Sequence, residues 1–280
     1  MIAKPGIAAG VAVSGLAGMC LAAGGLPGAA KAALCLTCIV AAACGSAVMN
    51  VLLERRTDAM MQRTAWRDGA VAEVGAAGAA AASLALVSSS FMLSWFFLNR
   101  LSALLILAAS FSYIVLYTVL LKRRSPYGTV PGGIPGALPV LIGYSAVKGG
   151  IGIDGVILFL IMLLWQPPHF LALALKYREQ YEAAGIPVMP AALGERYSKF
   201  FIFAYAAALP PLSLMLSVFA GGSTYFGVYA LTLGVLFIGL YYFDIVQLKK
   251  YGRAFGVSIV YILALMVGVI IDAGFISAGR

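Results

Sequence analysis

Apolar stretches long enough to cross a bilayer recur from one end of this 280-residue chain to the other. A helix needs about 20 predominantly apolar residues to span the hydrocarbon core. In lipid, every backbone N–H and C=O must also find its partner within the protein. Nine candidate spans can be marked, at residues 6–26, 29–53, 79–98, 101–121, 132–148, 153–175, 199–220, 223–246 and 255–276. The 132–148 stretch is short and holds Pro135 and Pro139, breakers tolerated where neighbouring helices satisfy the freed backbone groups. Charged residues make up 10% of the chain, against about 25% in a soluble domain. The expected architecture is an all-α polytopic membrane protein with one domain over residues 1–280. The first apolar run is too long for a signal peptide's apolar region, so a retained first helix is expected.

The net charge is +9, but its placement points to a lipid bilayer and not to a nucleic acid. Lys4 precedes the first span, Arg55, Arg56, Arg63 and Arg67 follow the second, and Lys122, Arg123 and Arg124 follow the fourth. Lys176, Arg178, Arg196 and Lys199 follow the sixth, and Lys249, Lys250 and Arg253 the eighth. Fifteen of the 19 Lys and Arg thus fall on one side, with Lys31, Arg100, Lys148 and Arg280 opposite. Because Lys and Arg mark cytoplasmic loops, the amino terminus is expected in the cytoplasm and the carboxyl terminus outside.

Asn50, Glu54 and Asp58 stand four residues apart where the second apolar run ends. A four-residue helical step advances about 6 Å and returns to nearly the same face. An amide and two carboxylates therefore form a ladder of oxygens at a membrane boundary. Mg²⁺ is usually shared between one or two carboxylates and substrate phosphates, so the ladder is a candidate magnesium diphosphate site. The plainer alternative is a solvated helix end, with Glu54 and Asp58 paired to neighbours such as Arg55 or Gln62. Asn50 argues against it, since a polar side chain within a span is a functional candidate by default.

Two long polar segments follow spans, at residues 54–78 and 176–198. Arg63, Lys122, Arg123 and Arg124 serve either as topology determinants or as clamps on phosphate oxygens. Glu179, Gln180 and Glu182 are either a second acidic site or a solvated loop start. His169, the chain's single histidine, sits in Trp165-Gln166-Pro167-Pro168-His169-Phe170. It is a hydrogen-bonded structural residue or a ligand, imidazole being a common axial ligand of haem iron. Cys35 and Cys38 form a CxxC inside a span, and core packing is expected there because a redox pair needs exposure.

Asn50-x3-Glu54-Arg55-x2-Asp58-x2-Met61-x-Arg63-Thr64 resembles the first diphosphate motif of protohaem IX farnesyltransferases, members of the UbiA superfamily of intramembrane prenyltransferases. Tyr117 to Tyr144 is similar to the central block of that family, and Trp165 to Pro190, with WQPPH and AGIPVMP, to its most distinctive block. Lys4-Pro5-Gly6 and Phe255-x2-Ser258 match near the two ends. The resemblance implies nine helices around a central cavity in a cell inner membrane. It implies transfer of the farnesyl group of farnesyl diphosphate to a vinyl group of haem B, with water added, giving haem O and diphosphate. Asn50, Glu54 and Asp58 would then be the catalytic, Mg²⁺-binding set. Arg55, Arg63, Lys122, Arg123, Glu179 and Gln180 would contact the diphosphate, and His169 and Gln166 the haem. Tyr117, Phe170 and Tyr144 are the aromatic candidates to face a carbocation, and haem-handling or oxidase-assembly partners are implied as well. Three residues depart from the pattern: Glu54 replaces an Asp, Arg56 stands where an acid is common, and Gln180 takes the place of an Asp in the second motif. A quinone-precursor prenyltransferase would keep the ladder without needing His169. A transporter is the alternative from another class, although the internal repeats common in transporters are not evident.

Overall fold

In the computed structural model, residues 5–278 are described, with side chains over 6–275. Lys4 and Arg280, two of the expected topology charges, lie outside the described residues. In chain order the helices begin with α1 (Pro5–Ala23), α2 (Ala29–Ala59), α3 (Trp66–Val74), α4 (Ala76–Phe97) and α5 (Arg100–Phe111), which continues as a π-helix over Ser112–Leu121. A 3₁₀ turn, Pro131–Gly133, then opens α6 (Ile134–Lys148), followed by α7 (Ile153–Lys176), α8 (Arg178–Ala183) and α9 (Met189–Ala192). The chain closes with α10 (Glu195–Phe219), α11 (Thr224–Tyr242), its π-helical extension Phe243–Gln247, and α12 (Tyr251–Ala278). No strand occurs among the described residues.

Eight of these helices, among the described residues, are long and apolar enough to cross a membrane. The ninth expected span, 132–148, becomes α6, whose 15 residues extend only about 22 Å. Eight of the nine expected spans therefore meet the length needed to cross, and α6 forms at the expected place but is shorter. The environment of α6 explains how a short, proline-bearing helix is accommodated. Every residue from Ala137 to Ala146 is buried, with α1, α5 and α7 packed around it. Its contact with α1 is backbone to backbone. A Cβ on Gly18 would stand 2.1 Å from the Val140 carbonyl oxygen, and one on Gly143 would stand 2.0 Å from that of Gly15. Association in lipid rests on such close packing because burying apolar surface gains nothing there.

The polar segments are more ordered than loops. α2 runs on to Ala59, six residues past the expected end of the second span, and so carries the whole ladder on one helix. The 176–198 segment folds back over that end. Met61 packs with Ala174, Tyr181, Ala184, Ile186 and Val188 in one apolar cluster. α7 runs unbroken through Pro167 and Pro168. Cys35 and Cys38 are buried free thiols in the apolar core with Met19 and Ile39.

Candidate active site

The apolar run of α2 sets its buried stripe, and continuing the helix four residues at a time carries Asn50, Glu54 and Asp58 along that stripe. They are 2%, 2% and 1% exposed, so the solvated helix end is excluded. Each meets its own partner. The Asn50 amide nitrogen donates to Thr118 Oγ1 at 3.0 Å, and Lys122 Nζ lies 2.5 and 2.6 Å from the two Glu54 oxygens. Arg67 Nη1 donates to Asp58 Oδ2 at 3.0 Å. Thr118 and Lys122 are four residues apart, like Asn50 and Glu54, so α2 and the π-helical end of α5 meet in parallel register. The wider π turn makes that match: Lys122 N–H bonds back to the Tyr117 carbonyl, and Thr118 Oγ1 donates to the Tyr113 carbonyl at 2.8 Å. π stretches inside α-helices are frequent at functional sites. Tyr113 and Tyr117 stack at 6.1 Å on this segment, and Tyr113 lies within electrostatic reach of Glu54, Arg67 and Asp58.

Thr64 fixes the turn after α2 by donating to the Asp58 carbonyl at 3.0 Å. That turn delivers Arg63 to the other polar segment, over the Tyr177 ring at 5.4 Å. Burial pushes the Tyr181 phenol up, while the nearby Arg63 guanidinium pulls it down. Gln180 sits at the same corner with a buried Oε1 that has no hydrogen-bond partner. Glu179 and Glu182 are exposed, and Glu182 pairs with Arg178 at 2.7 Å. The expectation that these two acids form a second site is not matched by their orientation.

His169 lies on α7, its ring between Trp165 (4.4 Å) and Phe255 (4.3 Å). Its Nδ1 is 2.7 Å from Ser258 Oγ. Gln166 covers the start of α6, where a Cβ on Gly136 would stand 2.5 Å from its amide nitrogen.

The UbiA prenyltransferase family model matches residues 11–270. The chain belongs to that family. It is 47% identical over 254 residues to the protoheme IX farnesyltransferase of Geotalea uraniireducens (strain Rf4), covering 91% of this chain and 98% of the relative. It is 37% identical to the Aquifex aeolicus (strain VF5) enzyme of the same name, covering 97% and 94%. Among solved structures, an apo UbiA homologue from Aeropyrum pernix K1 aligns with a TM-score of 0.79 at 19% identity, over 97% of this chain and 99% of that one. A UbiA homologue from Archaeoglobus fulgidus bound to DMAPP and Mg²⁺ aligns at 0.68 with 14% identity, over 96% and 97%. The match to the solved structures bears on the fold.

In this UbiA-family bundle, Asn50, Glu54 and Asp58 share the buried stripe of α2, and Lys122 lies against Glu54. Arg123 stays exposed, donating to Thr57 Oγ1 at 3.0 Å. Arg55 turns off the ladder to pair with Asp68, both about two-fifths exposed. Tyr144 lies at the far end of α6, its hydroxyl donating to Asp154 at 2.7 Å and accepting from Lys148 at 2.9 Å. It therefore stands away from the ladder with which sequence reasoning grouped it. Phe170 packs on Tyr181 near the ladder's cover. Sequence reasoning missed Arg67, Thr118 and Tyr113 as site residues; the signal for Thr118 was its four-residue spacing from Lys122.

Proposed function

We propose that the chain transfers the farnesyl group of farnesyl diphosphate to a vinyl group of haem B, giving haem O and diphosphate. The allylic C–O bond to diphosphate breaks and a C–C bond forms to the vinyl carbon. Water then supplies a hydroxyl to the neighbouring carbon and releases a proton. The observation that carries the reading is the buried ladder of Asn50, Glu54 and Asp58 with a cation on each carboxylate. The names of the relatives supply the acceptor, haem.

The donor set suits Mg²⁺. Among the described residues no three His, Cys, Asp or Glu side chains form a ready-made cage. Two carboxylates and an amide meet the lower demand of a cation that completes its shell with water and substrate phosphate. Asn50, Glu54 and Asp58 would hold it, and when bound it would offset charge on the departing diphosphate. Lys122, now on Glu54, and Arg67, now on Asp58, would turn to diphosphate oxygens as substrate arrives. Arg63, and Arg123 at the rim, add further donors. Such fixed cations favour the separated charges of ionisation without reorganising at the moment of reaction. The stacked faces of Tyr113 and Tyr117 give the allylic cation an aromatic surface. His169, with Gln166 one turn earlier, forms the haem side. We place the ladder end in the cytoplasm of an inner-membrane protein, since Lys122, Arg63 and Lys176 meet there.

The test is mass detection of haem O after membranes containing the protein are incubated with farnesyl diphosphate, haem B and Mg²⁺. Release of diphosphate without consumption of haem would overturn the assignment of the acceptor.

A further inference from the structure

Resting on the haem reading above, we infer that Ser258 sets the proton of His169, holding it on Nδ1 and leaving Nε2 as a bare lone pair for haem iron. Ser258 lies on α12, fully buried, and its hydroxyl carries one hydrogen. That hydrogen is already placed: Oγ lies 2.7 Å from the Phe255 carbonyl oxygen, which can only accept. His169 Nδ1 lies 2.7 Å from the same Oγ. A polar contact that short needs a hydrogen between its atoms. The serine has none left, so the imidazole supplies it from Nδ1. Neutral imidazole has one N–H and one acceptor nitrogen, and Nε2 is therefore unprotonated.

The surroundings hold the ring to that choice. Trp165 Nε1 donates to the Ser258 carbonyl at 2.8 Å, tying the serine to the helix that carries His169. Trp165 and Phe255 lie on opposite sides of the imidazole, tilted 22° and 26° from it. Flipping the ring would sacrifice the Ser258 bond. Among the described residues no protein group hydrogen-bonds Nε2. A histidine that ligates a metal almost always donates its other N–H to a fixed partner, which orients the ring and raises its basicity. Ser258 has the placement of that partner. It is a positioning residue, acting on iron through His169.

A single histidine in the chain makes the test direct. Nitrogen NMR of full-length protein carrying isotope-labelled histidine is expected to show protonated Nδ1 and bare Nε2. Ser258→Ala should admit the other tautomer, and Ser258→Thr, which keeps the hydroxyl, should restore the first. A wild-type spectrum with the proton on Nε2, or one unchanged by Ser258→Ala, overturns the inference. In a ferric haem titration followed by its Soret band, Ser258→Ala should weaken binding about 10- to 100-fold, with Ser258→Thr close to wild type. Unchanged affinity for farnesyl diphosphate with Mg²⁺ would show that the fold is intact. Haem binding lost in His169→Ala but unaltered in Ser258→Ala overturns this inference and leaves the haem reading standing. Binding unaltered in both overturns the haem role of His169 as well.

Discussion

The two polar segments that close over one another begin alike and end differently. α2 and α7 are both long apolar helices followed by acids and bases. α2 keeps its helix past the apolar run to Ala59, so Glu54 and Asp58 continue the buried stripe of Asn50 and find Lys122 and Arg67 waiting. α7 stops at Lys176, Tyr177 leaves helical geometry at φ −111°, ψ 25°, and α8 sets off with Glu179 and Glu182 facing out. Similar composition therefore gives a buried, counter-charged pair in one case and solvated side chains in the other. What decides is where the helix ends relative to its acids. A buried carboxylate is tolerable only when paired, and Lys122 at the π-helical end of α5 and Arg67 on α3 supply the pairing.

The strongest attack on this contrast is Asp58→Ala, which removes one of the two buried carboxylates of the ladder. Turnover should fall by about 10²- to 10³-fold or more, with membrane insertion unchanged, and chelating Mg²⁺ from wild-type membranes should produce a loss of the same order. Wild-type rates in Asp58→Ala would refute the ladder. Lys122→Ala comes next. It leaves Glu54 buried without its cation, a loss of roughly 3–5 kcal/mol for a broken buried pair. Thermal melting in detergent without Mg²⁺ should show the destabilisation, and Mg²⁺ with farnesyl diphosphate should restore much of it. A melt insensitive to both changes would mean that the pair is not sealed from water.

The contrast was half legible in the sequence. Asn50, Glu54 and Asp58 declare themselves because their spacing equals a helical repeat, a rule that needs no knowledge of neighbours. Lys122 was legible as a basic residue closing a span. Arg67 was not: its reach to Asp58 depends on the turn fixed by Thr64, and nothing in nine residues of sequence specifies that path. Thr118 was hidden by the π turn, since ordinary α-helical register does not predict its hydrogen bond to Tyr113 O. Tyr144 misled for the opposite reason, being close in sequence to site residues while α6 carries it to the other end of the bundle. The bundle was legible from apolar length, α6 included, expected over 132–148 and found at Ile134–Lys148; the neighbours that shelter its short, proline-bearing turns are revealed by no local pattern.

Gln180 sharpens the contrast from the other side, as a residue of the second segment that, like Tyr181, turns a polar atom inward. Its Oε1 is buried without a partner, so Gln180→Leu should cost little stability. If that oxygen receives a donor or cation when substrate arrives, KM for farnesyl diphosphate should rise about three- to tenfold, with little change in kcat. Gln180→Glu should hold KM near wild type and lower the Mg²⁺ concentration needed for half-maximal rate. A KM unmoved by Gln180→Leu would confine substrate contact to the first segment.

The smallest effects are expected where the sequence suggested larger ones. Glu179 and Glu182 are exposed, and the partner of Glu182 is the equally exposed Arg178; such pairs contribute little because water screens them. Arg55 is in the same position, held by Asp68 at the surface, one residue round the helix from Glu54. Glu179→Ala, Glu182→Ala and Arg55→Ala should each leave kcat/KM within about twofold of wild type, with unchanged melting. The double variant Glu179→Ala/Glu182→Ala is the decisive member, because it strips the second segment of both acids while leaving Gln180 in place. If its Mg²⁺ dependence matches wild type, the divalent cation is handled by α2. If its activity collapses as in Asp58→Ala, then α8 must turn its acids inward when substrate binds, and the difference between the two segments belongs to one state of the protein instead of to its fold.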